Sequence, residues 1–398
     1  MIPALVITGA AWWDNAPAMQ TSTDRILTTH AGSLPRPDEL ARLLFDVLDQ
    51  KPVDQAALHR RTREAVADTV RRQREIGIDA VSDGEMGKVG FSNYVLQHLG
   101  GFEGSLEPVL SDLVETPDAM NAVFGGEGAA HLRLPLLNGP IDRRDPGFIE
   151  REIDDFKVAL GGGNPEPAFI PAVTPGQVAF NFPNHYYPSH QRYLEAAAQA
   201  LSPEYHAIVN AGFDLQLDSP DSAMAFHFQA TGSDVGDPKQ HLAAAIEVLN
   251  DAVRDLPPEK MRYHVCWGNY RGPHHKDVAL REIADLVLKV RPKFIYIEAA
   301  NPRHAHEWTV WNDVKLPDDK ALIVGVIDTK TNHVEHPELI AERLERFAHI
   351  VGKDRVVAGT DCGFATFVGL HPCPPSIAWL KLQALVAGTQ LASKRLAR

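Results

Sequence analysis

The sequence predicts a (β/α)8 TIM barrel carrying one inserted excursion, and three observations support that class. Eight short runs rich in β-branched and aromatic residues alternate with longer amphipathic runs along 398 residues, the pattern of parallel strands joined by helices. No Gly-rich phosphate loop follows the first run, where "HAGSLPRP" stands instead, and this argues against a doubly wound open sheet. Polar residues gather where the runs end, as on the active face of such a barrel.

In chain order the strand candidates are "RILTTHAGS" (25–33), "IDAVSDGE" (78–85), "AFIPAVTPG" (168–176) and "FDLQLDSP" (213–220). They continue with "RYHVCW" (262–267), "KFIYIEA" (293–299), "LIVGVID" (322–328) and "RVVAGTDC" (355–362). Between them, residues 54–77 place Ala57, Leu58, Ala65, Val66, Thr69 and Val70 at helical spacing, with Gly77 as the stop. Residues 336–352 read as a second helix, begun at Pro337, where a missing N–H costs nothing, and ended at Gly352. The stretch from about 100 to 165, rich in Gly, Pro and acidic residues, reads as an excursion between the second and third strands, with "HLRLPLLNGP" as a hairpin over the barrel. Residues 1–24 are expected to be a disordered N-terminal extension and 25–398 the barrel. The apolar start "MIPALVITGAAWWDNAPAM" lacks the positive n-region of a signal peptide, and a start at Met19 is the other reading.

Composition narrows the function. With 52 acidic against 39 basic residues and a net charge of −13, the chain lacks the basic stripe that nucleic-acid binding requires. No apolar run approaches the roughly 20 residues of a membrane span. Three cysteines are too few for a disulfide framework and fit a reducing, cytoplasmic setting. Whether the chain forms a homo-oligomer is left open.

The chemistry sits at the run ends: Ser33, Asp83, Glu85, Asp218, His264, Cys266, Glu298, Asp328, Asp361 and Cys362. Buried strands should avoid carboxylates, which are costly to desolvate unpaired, so the set points to one shared pocket. His264 and Cys266 are two apart and project from the same face of a strand. With Glu298 and Cys362 they supply the imidazole, carboxylate and thiolate donors that Zn²⁺ takes, and two thiolates select zinc over magnesium or calcium. Each residue alone reads as a core histidine or an inert thiol; together they read as a site. So much ligand charge suits binding a substrate thiol better than activating water. Cys373, beyond the last strand, stays outside the set. Arg36, Arg303, His304 and His306 could clamp an anionic tail, and His274 and His275 could relay protons or cap a turn.

"HVC" at 264–266, "IE" at 297–298 and "TDCG" at 360–363, with "HAGSLPRP", "SDGEM" and "QLDSP", resemble the C-terminal catalytic barrel of cobalamin-independent methionine synthase. The resemblance implies His264, Cys266, Glu298 and Cys362 as zinc ligands, and Ser33, Glu85 and Asp218 as holders of an amino-acid thiol. In place of that family's catalytic histidine, in a "YDIHSP"-like stretch, this chain has "VIDTKTN" with Lys330. Its folate platform is replaced by "TPGQVAFNFPNHYY". The runs "CWGNYRGPHH", "ANPRHAHEW" and "NHVEHPE" are similar to a stand-alone, single-barrel branch, the epoxyalkane:coenzyme M transferase (2-hydroxypropyl-coenzyme M lyase) type.

The expected function is therefore a zinc-dependent S-methyl- or S-alkyltransferase acting on a small thiol with an alkyl or methyl donor. Asp218, His304 and Lys330 are its catalytic candidates, and Ser33, Arg36, Glu85, Asp218 and Arg303 its substrate-binding ones. An acid must protonate the leaving group or an alkoxide, for which His304, His274 or a water are the candidates. The alternatives are a lyase that opens an epoxide with a thiol, and a non-catalytic barrel carrying a folate or a methylated corrinoid. A zinc hydrolase ranks low, since it wants several histidine ligands and one strand-end histidine is present.

Overall fold

The structure, a computed structural model, describes residues 21, 24–106, 108–119, 134–161, 167–230, 236–370 and 372–397. The extension expected over residues 1–24 lies outside them except for Thr21 and Asp24. Eight parallel strands form the central sheet. They are β1 (Leu27–Thr28), β2 (Val81–Ser82), β3 (Ala168–Val173), β4 (Asp214–Asp218), β5 (Met261–His264), β6 (Phe294–Glu298), β7 (Ala321–Ile327) and β8 (Val356–Thr360). Their order around the sheet is β1-β8-β7-β6-β5-β4-β3-β2, so every sequence candidate overlaps a barrel strand. Between β1 and β2 there is no ladder. Ala80 N–H donates to Thr28 O at 3.0 Å, and the Asp79 carboxylate takes the Thr28 N–H and hydroxyl at 2.8 and 2.9 Å. A side chain thus brings together the two ends of the sheet.

The helices follow the caps written in the sequence. α1 spans Asp38–Leu48 and α2 Gln55–Ile76. Asp54 accepts the N–H groups of Ala56 and Ala57 at 3.0 and 3.1 Å, and Gly77, at φ +90°, takes the left-handed stop. The helix expected over 336–352 runs Pro337–Val351, capped by the His336 ring and ended by Gly352 at φ +93°. The last long helix, Pro375–Leu396, packs against it.

Strand periodicity sets what faces the barrel axis. Phe294, Tyr296, Ala321, Ile323 and Val357 form an inner apolar cluster, whereas Ile295, Ile297, Leu322 and Val324 belong to the outer core beneath the helices. By the same alternation Glu298 stands above Tyr296, His264 above Arg262, and Asp218 above Gln216. Arg262 is buried in the barrel, its guanidinium 3.8 Å from the Phe169 ring centroid and bonded to Thr29 Oγ1 and His30 O at 2.9 and 2.6 Å. The chemistry sits on that layer.

The excursion does lie between β2 and β3, but its strands pair differently from the expected hairpin. Leu134–Leu137 pairs antiparallel with Phe102–Leu106, and Pro108–Leu110 pairs with Phe228–Ala230 beyond β4. A pairing partner about thirty residues back is not legible in "HLRLPLLNGP", whose first three residues lie outside the described ones. The short helix Ser111–Glu115 then meets the loop after β5. Buried Asp112 accepts the Tyr270 hydroxyl and the His274 N–H, and Glu115 pairs with His275 and Lys276. The excursion is tied to the segment that carries Cys266.

Candidate metal centre

Three donors converge at the barrel mouth. His264 ends β5, Cys266 follows two residues on, and Cys362 follows β8; their donor atoms lie within 4.8 Å of one another and all three residues are buried. The two sulfurs are 3.4 Å apart and not bonded as a disulfide. Two sulfurs about 2.3 Å from a tetrahedral ion stand about 3.8 Å apart, so the donor set suits zinc with only a small adjustment. Hydrogen bonding to the Cys362 sulfur, and then burial, hold the Cys266 thiol well above its ordinary pKa. Such a pair ionises when a cation takes the thiolates.

The imidazole is aimed by a carboxylate. Asp218 Oδ1 lies 2.9 Å from His264 Nδ1 and also accepts from Gln216 Nε2 at 2.8 Å. Gln216 in turn donates to Ala31 O at 2.6 Å. Burial alone would push the His264 pKa down; the Asp218 hydrogen bond and charge, with Cys362 and Glu298 nearby, more than reverse it. With the proton on Nδ1, Nε2, which lies 3.5 Å from Asp361 O, keeps its lone pair for an ion. Replacing Asp218 with Asn is expected to weaken zinc binding about 10- to 100-fold, because the carboxylate that fixes the ring is lost. Competition with a chromogenic chelator measures this, and an unchanged affinity would contradict the positioning role.

Glu298 is not part of that convergent group. Its Oε1 accepts the Trp267 N–H at 3.0 Å, and its Oε2 accepts Asn301 Nδ2 at 2.8 Å and Lys330 Nζ at 3.0 Å. Lys330 therefore meets Glu298. Asp361 organises the same corner, taking the N–H groups of Ala299, Ala300 and Asn301 at 2.9, 2.8 and 2.8 Å. The sequence marked Asp361 only as one polar strand end among several; its three main-chain partners had no sequence signal.

Ser33 and Glu85 lie at the ends of the first two runs, both buried. Ser33 packs so closely on Gly363 that a Cβ there would fall 1.9 Å from its Oγ, which fixes the glycine beside Cys362. Gly84 and Glu85 both have positive φ, +72° and +57°, a conformation costly for a side chain other than glycine. That turn puts Glu85 Oε1 where a Cβ on Gly32 would lie 2.6 Å away. Its Oε2 has no hydrogen-bond partner. Burial is the main reason its pKa is pushed up to about 8; Lys88 opposes this and the Asp218 charge adds to it.

The expected anion clamp does not assemble. Arg36 is buried, and its terminal nitrogens donate to the carbonyls of Ala365 and Glu85 at 2.7 and 2.8 Å. Arg303 is exposed, donating to His275 O at 3.3 Å, and His306 is exposed as well. His304 is buried under Trp267, with Nε2 2.9 Å from Asp277 and Nδ1 2.8 Å from Glu307. Burial opposes its charge, but those two carboxylates raise its pKa to about 9. Both of its nitrogens are engaged, which suits a fixed charge better than a mobile acid. His274 likewise bonds Asp277 and the Tyr270 carbonyl, at 2.9 Å each.

No family model matches the chain. A methionine synthase of Thermococcus kodakarensis is 24% identical over 372 residues, covering 93% of this chain and 94% of the relative. The 2-hydroxypropyl-CoM lyase of Xanthobacter autotrophicus is 27% identical over 376 residues, covering 88% and 90%. Among solved structures, a B12-independent methionine synthase from Shewanella sp. W3-18-1 in complex with selenomethionine superposes with a TM-score of 0.64 at 20% identity, covering 94% of this chain and 99% of that one. At that identity the match speaks to the barrel alone. Along about nine-tenths of its length, then, the chain is similar to methionine synthases and to 2-hydroxypropyl-CoM lyase, the two branches its motifs resemble, and it has the barrel of the B12-independent synthases.

Proposed function

We propose that the chain is a zinc-dependent S-methyltransferase acting on an amino-acid thiol of the homocysteine class. The observation that carries this reading is Glu85, a buried carboxyl with an unpartnered oxygen, close enough to feel the charge of Asp218. A carboxyl there can give up its proton to pair with an arriving ammonium, whereas it offers a sulfonate no positive partner. The buried cations nearby are already engaged, Arg36 by carbonyls, Lys88 by Glu152 and Lys330 by Glu298, and Arg303 is exposed. A coenzyme M sulfonate would have to compete for them, and this weighs against the epoxide-opening lyase.

In this reading His264, Cys266 and Cys362 hold the ion, and Asp218 keeps the imidazole aimed through Oδ1. Zinc, when bound, supplies the positive charge that lets a substrate thiol ionise near neutral pH. Glu85 takes the ammonium and so fixes the thiol end of the substrate over the mouth. The sulfur forms an S–CH₃ bond as the donor's bond to that methyl breaks; the thiol's proton is released on ionisation, and the donor atom regains one. Free cysteines fit a cytoplasmic setting. No helix among the described residues is long and apolar enough to cross a membrane.

Zinc-edge X-ray absorption with and without homocysteine or 2-mercaptoethanesulfonate tests the proposal. The expected result is a shell of two sulfurs that becomes three with homocysteine alone. A third sulfur only with 2-mercaptoethanesulfonate would favour the lyase. Absence of zinc, or a shell indifferent to both thiols, would refute thiol transfer and leave the carrier barrel standing.

A further inference from the structure

The four residues that the motifs assign to one ion divide into two groups. His264, Cys266 and Cys362 converge. Glu298, on β6 beside them, has both oxygens engaged by three donors: the Trp267 N–H, Asn301 Nδ2 and Lys330 Nζ. The Lys330–Glu298 pair is almost dry, with side-chain exposures of 9% and 0%. A carboxylate pulled from this pair would strand a buried ammonium, the costly way to break such a pair.

Lys330 is itself held firmly. Its N–H donates to Asp328 Oδ1 at 2.8 Å, and the Asp328 N–H donates to Glu335 Oε1 at 2.9 Å. Glu335 pairs with Lys381, which is fully buried on the C-terminal helix, at 3.0 Å. On the other side Thr329 donates to Asn269 Oδ1 at 2.9 Å, and Asn269 donates to Gly363 O at 2.7 Å. The lysine thus enters the site on a loop braced from the helix layer and from the loop that follows Cys362.

We propose that Lys330 is a positioning residue that keeps Glu298 out of the metal's coordination shell. The ion is then carried by His264, Cys266 and Cys362 alone, and its fourth place stays open to the incoming thiol. This rests on the thiol-transfer reading above. The electrostatics follow directly: two thiolates balance a divalent ion, so the resting centre is neutral, whereas a bound carboxylate would make it anionic. A thiol that ionises against a neutral centre has no protein ligand to displace and no net negative charge to overcome. Specificity follows too, since the thiol competes with solvent for that place and not with a tethered side chain.

The test uses the cobalt(II)-loaded protein, whose visible bands report coordination, with homocysteine as the probe. Lys330→Met frees Glu298 to compete for the fourth place and is expected to weaken homocysteine binding about tenfold. The double variant Glu298→Gln/Lys330→Met removes the pair together. It is expected to restore binding to within about threefold of wild type and to keep the metal, while Cys362→Ser loses it. Restoration by the second substitution is the signature that a purely structural lysine would not give. Unchanged binding in Lys330→Met, failure of the double variant to restore it, or metal loss in the double variant as steep as in Cys362→Ser would each overturn the proposal. The first three proteins are checked by melting temperature, so that misfolding is not mistaken for weak binding. In all these cases thiol transfer still stands, provided the wild type loads metal and binds homocysteine. A wild type that takes up neither cobalt nor zinc overturns both readings together.

Discussion

Cys362→Ser is expected to leave the protein without zinc after dialysis, with thiol-dependent methyl transfer below detection. Cys362 supplies one of three convergent donors, and its sulfur sits 3.4 Å from that of Cys266. Serine keeps the size but offers a hydroxyl that does not ionise at neutral pH, so an ion there loses a charged ligand. A fall in zinc affinity on the order of 100-fold or more follows. Cys373→Ser is the control. Cys373 is fully buried but is not in the convergent group, so its variant should retain one zinc per chain. Elemental analysis of the dialysed proteins decides the matter. Stoichiometric zinc in Cys362→Ser would place the ion elsewhere.

Glu85→Gln is expected to weaken binding of methionine, a product-like ligand with no thiol to titrate, by about 100-fold at pH 8. It should also flatten the pH dependence. Burial holds the Glu85 pKa at about 8 against an ordinary 4.5, so below pH 8 the free protein keeps a proton there. An arriving ammonium must expel that proton, and wild-type affinity therefore rises with pH up to about 8 and then levels. Stability carries the matching sign. A raised folded-state pKa gives a contribution that is fully present below about pH 4.5 and is lost as pH rises through 8. Glutamine removes that slope. Calorimetric titration between pH 6 and 9 and melting curves over pH 4 to 9 measure both effects; a wild-type affinity flat in pH would contradict the assignment of the ammonium to Glu85.

The barrel was legible because parallel strands are buried on both faces and read as short apolar runs, and because Asp54, Gly77, Pro337 and Gly352 punctuate helices by local chemistry. His264 and Cys266 were legible as a pair because period two is a local rule. What stayed hidden depended on partners far away in sequence. Leu134–Leu137 found a strand about thirty residues back. Arg36, a plausible anion clamp by type, turned to the carbonyls of Ala365 and Glu85 once buried. Glu298 stands at a strand end where a ligand is expected, and the Lys330 that engages it is 32 residues away on the next strand's loop. Asp112 and Asp361, unremarkable by composition, meet main-chain N–H groups that only the folded chain brings to them.

The spacing of the two sulfurs has an oxidative consequence. A disulfide needs its sulfurs about 2.0 Å apart, and Cys266 and Cys362 stand 3.4 Å apart, in direct contact. An ion held between them needs both sulfurs as thiolates, and a disulfide removes both, so metal and disulfide are mutually exclusive states of one pair. A metal-free chain exposed to air would drift toward the crosslinked state, joining the loops after β5 and β8 across the mouth. The metal could then not bind until a thiol, acting as reductant by exchange, reopened the bridge. Loss of the ion would thus become a recoverable shutdown of the site, set by the redox state of its surroundings.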